Sequence, residues 1–261
     1  MTRYTYGDSA LAAERLGLVA SMFEATTRSF IGSVVREPPD SAVDLGCGPG
    51  HTTRLLHEVT RARSTVGLDR SESFVDAARR DGPEGVSFAV HDVTRVPFPT
   101  GPADVVYARL LLAHLADVEE VVRRWSTMLT IGGSLLADDL EELDAPEPSF
   151  RAYLDDVAIA VVRAEGGELF VGPRLHAMDD PPECSRVYDR LAAFSPPAPI
   201  TARAFAMNLA VLVDRRETAP RPDLAAALGE IAAERRPAAP ATWRVRQVAW
   251  RRGTGVVPDD V

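Results

Sequence analysis

Three glycines at alternate positions follow a short apolar run that contains an acid. The run is V-D-L-G-C-G-P-G, in which Gly46, Gly48 and Gly50 alternate after Asp44. A buried strand that ends in such a turn exposes bare main chain, because glycine has no Cβ to obstruct a ligand. Asp69 closes the next apolar run, T-V-G-L-D, where a carboxylate can accept hydrogen bonds from a ribose diol. Together these features predict a site for a small molecule that contains a nucleoside.

The spacing of the glycines argues against a dinucleotide ligand. The fingerprint G-x-G-x-x-G uses its third glycine for close packing of a helix on a strand, and His51 occupies that position here. Pro49 also removes one backbone N–H that a pyrophosphate would need. A turn that merely joins a strand to a helix is the alternative interpretation of the whole run.

The composition favours one enzyme-sized domain that acts on a small molecule. A chain of 261 residues with 46% hydrophobic residues can bury a large core without splitting in two. The net charge is −9 and the isoelectric point is about 5.1. Because nucleic-acid binding needs clustered cations, we expect no nucleic-acid partner.

The cysteines, the histidines and the apolar runs of the chain predict its redox compartment and whether it has membrane spans or metal sites. The two cysteines, Cys47 and Cys184, imply no disulfide framework and favour a reducing cytoplasm. The first ten residues lack the apolar core of a signal, and no run reaches the roughly 18 apolar residues of a membrane span. Neither Cys-x-x-Cys nor His-x-x-x-His occurs, so no metal site is expected.

Strand and helix patterns alternate along the chain, and this alternation predicts a doubly wound, mostly parallel α/β sheet with helices on both faces. Apolar spacing over 9–30 predicts one or two helices ahead of the sheet. The predicted strands cover 41–45, 64–69, 86–91, 103–108, 134–138, 185–193 and 242–252. The predicted helices of the remaining chain cover 51–61, 72–80, 117–129, 149–165, 200–213 and 222–235.

Four segments follow from this pattern. N-terminal capping helices occupy 1–35, the nucleoside-binding core occupies 36–139, and 184–261 completes the sheet. Between them, 140–183 is an irregular insertion with one helical piece and Gly-Gly and Pro-Pro breaks. Because long irregular connections are usually functional, we expect the insertion to be a lid over the substrate.

An acid cluster is expected just after the fifth strand, at the sheet edge where ligands bind in open α/β folds. It could orient an amine substrate or bind a metal, or it could be a solvated helix start. The cluster consists of Asp138, Asp139, Glu141, Glu142 and Asp144.

The run D-L-G-C-G-P-G, with Asp69 ending the next strand, resembles the class I S-adenosylmethionine (SAM)-dependent methyltransferases that act on small molecules. The resemblance covers roughly residues 1–140 and the final strand. It implies a seven-stranded, Rossmann-like sheet with an antiparallel finish. It also implies transfer of the SAM methyl group to an O-, N- or C-nucleophile by in-line displacement, with S-adenosylhomocysteine (SAH) as product.

The resemblance assigns the nucleoside end of the cofactor to the first three strands. Asp69 would accept from the ribose, and Arg70 beside it is either a further ligand or a solvated charge. Asp92 would accept from the adenine amino group, with the N–H of Val93 meeting a ring nitrogen; the alternative is that Asp92 caps a turn. The turn itself would contribute Asp44, Gly46, Cys47 and Gly48.

The methionyl end is assigned to the N-terminal segment and to A-R-L-L-L-A-H after the fourth strand. The backbone of Ala108 and Arg109 would approach the methionyl part. Arg15 would pair with its carboxylate; the alternative is an ordinary surface arginine on a capping helix. Tyr6 would cover the sulfonium by a cation–π contact. His114 is the candidate general base, because its ordinary pKa lies near working pH; a satisfied core histidine is the alternative.

Two other classes of function remain open. One is a SAM-binding enzyme with non-methyl chemistry, such as a SAM-assisted cyclisation. The other is a non-catalytic SAM-binding regulatory protein. A nicotinamide oxidoreductase ranks lower because of the missing glycine. A homodimer is compatible with the sequence.

Overall fold

The computed structural model describes residues 7–80, 82–164 and 166–253. Within them, seven strands form one sheet in the order β3-β2-β1-β4-β5-β7-β6. The strands are β1 Ser41–Leu45, β2 Ser64–Asp69, β3 Val86–Val90, β4 Ala103–Arg109, β5 Leu129–Asp144, β6 Cys184–Phe194 and β7 Thr242–Arg252. The first five strands pair in parallel, and β7 is antiparallel to β5 and β6. The predicted doubly wound fold with an antiparallel finish is confirmed.

Helices cover both faces of the sheet. They are α1 Ala10–Val34, α2 His51–Thr60, α3 Glu72–Arg80, α4 Val118–Ser126, α5 Pro148–Tyr153, α6 Ile159–Ala164, α7 Gly172–Ala177, α8 Ala198–Asp214 and α9 Pro222–Ala232. A 3-10 turn spans Leu112–His114, and a π-helical turn, Leu154–Ala158, joins α5 to α6. Of the helices within the described residues, none combines the length and apolar character that a bilayer crossing requires.

The central strands are apolar because both of their faces are covered. On one face, α4 packs Trp125 against the core of β1, β4 and β5, and its indole N–H donates to the Val93 carbonyl at 2.9 Å. On the other face, Phe30 and Ile31 of α1 lie over Tyr107. A separate helical core joins α5, α6, α8 and α9 to the far ends of β5 and β7.

The fifth strand is much longer than its sequence pattern indicates. The sequence pattern predicts a helix over 117–129 that the glycine pair Gly132–Gly133 stops, but α4 ends at Ser126 and β5 begins at Leu129. The glycine pair instead forms a bulge within the strand, because Gly132 takes a positive φ of 82°. Beyond Asp138, β5 pairs with β7 alone and runs on to Asp144.

This extension corrects the predicted place of the acid cluster, because the acids lie on the strand and not after it. Asp138 and Asp139 are buried. Glu141 and Glu142 form ion pairs with arginines of β7 at 2.7 and 2.8 Å. Asp144, at the end of the strand, is exposed. Most of the cluster therefore serves to hold the β5–β7 pair.

Candidate functional site

The glycine turn joins β1 to α2 at the carboxyl edge of the sheet. Gly46, Gly48 and Gly50 have φ values of 68°, 52° and 85°, a region that glycine alone enters readily. A Cβ added to Gly48 would meet only the Leu16 side chain, at 3.4 Å. The backbone of Gly48 therefore faces the space between the turn and α1, as a ligand-binding turn requires.

Asp69 fastens this turn to the neighbouring strand. Its carboxylate accepts the N–H groups of Gly48 and Ser71, both at 2.8 Å. Burial raises the pKa of Asp69, against the opposing effect of these N–H donors. The structure thus brings the predicted ribose acceptor into direct contact with the predicted cofactor turn.

The side chains of Asp44 and Cys47 are buried and make contacts within the fold. Asp44 is 1% exposed and accepts the Thr53 hydroxyl at 2.7 Å. Burial raises its pKa to about 7, although the Thr53 hydroxyl and the Arg109 guanidinium act in the opposite direction. Cys47 packs in the small core under α3, and burial raises its thiol pKa well above the usual range. At both positions the main chain, and not the side chain, is therefore available to contact a ligand.

Asp92 and Val93 follow β3 beside the turn. Asp92 accepts the N–H and the hydroxyl of Thr94 at 3.0 and 2.7 Å and pairs with Arg95 at 3.3 Å. Its side chain is nevertheless 38% exposed, so acceptor capacity remains. The Asx-type turn weighed as an alternative is therefore present, and it leaves the proposed adenine contact available.

Arg109 at the end of β4 connects the two helices that border the turn. Its guanidinium donates to Thr27 of α1 at 3.2 Å and to Thr52 of α2 at 3.1 Å. It also lies 5.8 Å from the centre of the Phe23 ring. Ala108 is buried within the strand.

Asp138 on β5 completes this buried polar network. Its Oδ2 accepts from Thr27, Tyr107 and Gln247 at 3.2–3.4 Å. Burial raises its pKa to about 6, against the opposing field of Arg109. Local sequence patterns do not identify Thr27 and Gln247 as site residues, because their hydrogen bonds to Asp138 join residues more than one hundred positions apart.

His114 lies within electrostatic reach of two arginines. Burial, together with the charges of Arg15 and Arg70, lowers its pKa to about 4. Arg15 on α1 is 5% exposed, whereas Arg70 is exposed. The structure therefore brings two predicted site residues, Arg15 and Arg70, near the neutral imidazole of a third, His114. Tyr6 lies outside the described residues.

The start of α1 lies across the site. The Ser71 hydroxyl donates to the Asp8 carboxylate at 3.0 Å, and the Ser73 hydroxyl donates to the Asp8 carbonyl at 3.1 Å. A Cβ on Gly17 would lie 3.2 Å from the His51 ring. Within the part of the chain that the structure describes, no three His, Cys, Asp or Glu side chains form a group able to hold a metal ion.

A valine at Gly48, compared with a valine at a control glycine, distinguishes obstruction of the ligand site from backbone strain. We expect Gly48→Val to place methyl groups in the space under α1 and to abolish measurable SAH binding. Gly101→Val is the matched control, because Gly101 has a similar φ of 68° and nothing lies within 4 Å of its Cβ position. Both variants should lose at least about 1–2 kcal/mol of stability from the left-handed conformation. Calorimetric SAH binding by Gly48→Val equal to that of the control would contradict this placement.

Known proteins with similar sequences are methyltransferases. A family model described as a methyltransferase domain matches residues 43–137. A trans-aconitate 2-methyltransferase of Methylobacterium nodulans is 36% identical over 135 residues, covering 48% of this chain and 52% of the relative. That of Methylobacterium radiotolerans is 32% identical over 162 residues, covering 62% and 60%. The chain thus spans about half to three-fifths of the length of these relatives.

Solved structures share the fold at low identity. A proposed methyltransferase of Bacillus halodurans has a TM-score of 0.62 at 14% identity, covering 88% of this chain and all of that one. The [4+2]-cyclase SpnF has a TM-score of 0.53 at 17% identity, covering 89% and 81%. The glycine turn, β2 and β4 all lie within the segment that the family model matches. Residues 43–137 of this chain are therefore similar to a methyltransferase domain, and the two relatives above are named as methyltransferases.

Proposed function

We propose that this chain transfers a methyl group from SAM to a small-molecule acceptor. The observation that carries the proposal is the positive-φ glycine turn, whose Gly48 N–H is held by Asp69 while its backbone faces the space under α1. The family model matched at 43–137 supports the same cofactor.

The donor and acceptor groups at this edge fit the parts of SAM. The Asp69 carboxylate retains lone pairs for a ribose diol, and the part-exposed Asp92 suits an exocyclic amine. The buried Arg15 guanidinium suits the methionine carboxylate, and Arg109 and Ala108 lie at the end of β4 on the same edge. When bound, SAM supplies an activated methyl group on a sulfonium. The cation–π role of Tyr6 stays a prediction.

The chain's own task is then to orient the acceptor and to exclude water. Reacting atoms must approach to about 3–3.5 Å in line, and α1 covers the turn through Leu16 and Gly17. Because the pKa of His114 is about 4, its imidazole is neutral at neutral pH. An imidazole with this pKa is a weak base, so the general-base role is not favoured, and we propose instead that a ring nitrogen of His114 accepts a hydrogen bond that orients the hydroxyl or amine of the acceptor.

The insertion is proposed as the lid that selects the acceptor; because β5 runs on to Asp144, it spans 145–183 and not the predicted 140–183. Its helical part lies beyond the segment that the family model matches. The Glu168 N–H donates to the Ala113 carbonyl at 3.0 Å, which brings the insertion to the residue next to His114. Relatives named for trans-aconitate and for phosphoethanolamine show that related domains serve different small acceptors.

The proposal is tested by product analysis. The chain is incubated with SAM and panels of carboxylates, amines and phenols, and SAH and methylated products are measured by mass spectrometry. Stoichiometric SAH and methylated acceptor is the expected result. A rearranged product without SAH would favour SAM-assisted cyclisation, and SAM that binds but stays intact with every panel and with cell extracts would favour a regulatory protein.

A further inference from the structure

The segment that follows β4 has a backbone conformation that its surroundings must hold. Leu110 has a φ of 51°, which a residue with a side chain adopts only where neighbouring groups over-determine it. Its N–H donates to the Asp138 carbonyl at 2.9 Å, the last such bond before the chain leaves the sheet. The 3-10 turn Leu112–His114 follows directly.

Asp139 of β5 holds this turn from the side of the sheet. Its carboxylate is 2% exposed. Oδ2 accepts the Leu112 N–H at 2.9 Å, and Oδ1 accepts the Leu140 N–H at 3.0 Å. The Ala113 N–H also stabilises the charged carboxylate. A buried acid therefore caps the start of the turn, as N-terminal acids do in longer helices.

The insertion holds the same turn from the opposite side. The Ala113 carbonyl accepts the Glu168 N–H at 3.0 Å. A Cβ on Gly167 would lie 2.2 Å from that carbonyl oxygen, so the contact requires glycine there. The peptide unit of Ala113 is thus fixed between the sheet and the insertion.

This turn carries groups that face the proposed cofactor site. The Leu111 side chain lies 2.8 Å from the position of a Cβ on Gly46, and His114 sits in the fields of Arg15 and Arg70. We infer that Asp139 is a positioning residue that sets Leu111 and His114 against the glycine turn, and that the insertion acts on the site through the Ala113 carbonyl. The inference rests on the proposed function for its meaning in catalysis.

The test uses two variants that disturb the turn from opposite sides. Asp139→Ala removes the acceptor, and Gly167→Ala pushes on the Ala113 oxygen from the insertion. Both are expected to shift the imidazole ¹⁵N resonances of His114, assigned with His114→Gln, in the ligand-free chain. Calorimetric affinity for SAH should fall about tenfold, as expected when a hydrogen bond that orders the site is lost.

Two controls separate positioning from general destabilisation. Asp144→Ala removes an exposed acid from the same strand, and Leu228→Ala lowers stability from the helical core. Neither should move the His114 resonances. The inference is overturned if Gly167→Ala leaves these resonances unchanged, or if Leu228→Ala shifts them as much. Failure of the unaltered chain to bind SAH would instead reject the proposed function, since the resonances are read without ligand.

Discussion

Replacing Asp69 with alanine is expected to lower SAM affinity by about tenfold to hundredfold, because hydrogen bonds to a charged acceptor contribute about 1.5–3 kcal/mol. The variant also releases the N–H groups of Gly48 and Ser71 that Asp69 now accepts. Calorimetric titration with SAM and with SAH measures the loss, and NADH should bind neither protein measurably.

A matched control lies on the next helix. Asp76 is an exposed acid of α3 that pairs with Arg79 at 3.1 Å, so Asp76→Ala should leave SAM affinity within about twofold, as expected for a surface pair. Asp69→Asn keeps the shape of the side chain and one acceptor oxygen. Its loss of SAM affinity should therefore lie between the losses in Asp69→Ala and Asp76→Ala. Unchanged affinity in Asp69→Ala would remove the ribose assignment.

Asp44→Asn is expected to stabilise the protein at alkaline pH. The folded-state pKa of Asp44 is about 7 because burial raises it, whereas an aspartate in an unfolded chain titrates near 4. Between these values the folded protein retains a proton that the unfolded chain has released. The free energy of unfolding therefore falls as pH rises through this window and levels off above it.

Asparagine cannot ionise, so the variant escapes this loss. Above pH 7 the free energy of unfolding of Asp44→Asn should exceed that of the unaltered protein by about 4 kcal/mol, at 1.36 kcal/mol for each unit of pKa difference. Below about pH 4 this difference should vanish. Urea unfolding at about pH 5 and about pH 8.5 measures the change. Asp138 and Asp139, with pKa values of about 6 and about 7, contribute with the same sign in both proteins, and His114 contributes with the opposite sign.

Asp104→Asn is a control of opposite sign. Burial raises the pKa of Asp104, but hydrogen bonds from Thr130 and Ser41 outweigh burial and lower it overall. Its loss should therefore destabilise the protein at neutral pH. If Asp44→Asn shows the same difference from the unaltered protein at both pH values, the ionisation of Asp44 does not limit stability.

Much of the fold and the cofactor edge could be predicted from local patterns. Alternating apolar runs and glycine breaks located β1 to β4 within a few residues, because strands buried on both faces must be apolar. Parallel order then places Gly48, Asp69 and Asp92 at one edge, since the carboxyl ends of parallel strands meet there. Contact between Gly48 and Asp69 follows from that geometry, and the structure has it.

The states of the buried acids depended on tertiary structure. Asp138 and Asp139 belong to an acidic run that a local pattern assigns to solvent, yet both are buried. The partner strand β7, more than one hundred residues away, extends β5 through this run and supplies Arg246 for Glu141. Such pairing depends on which distant strand lies alongside, and a local window contains no information about it.

The segment after β4 also combines residues that the sequence identified with a conformation that only the tertiary structure decided. The sequence A-R-L-L-L-A-H identified Arg109 and His114 as candidates by resemblance. Only the folded chain shows that Leu110 takes a positive φ, that Asp139 caps the following turn and that the insertion contacts Ala113. The sequence by itself determined the succession of strands and helices and the residues at the ends of β1 to β4, because periodicity and glycine placement act locally. The conformation and charge of those residues were decided by packing of α1, β7 and the insertion, because burial and long-range hydrogen bonds exist only once the chain is folded.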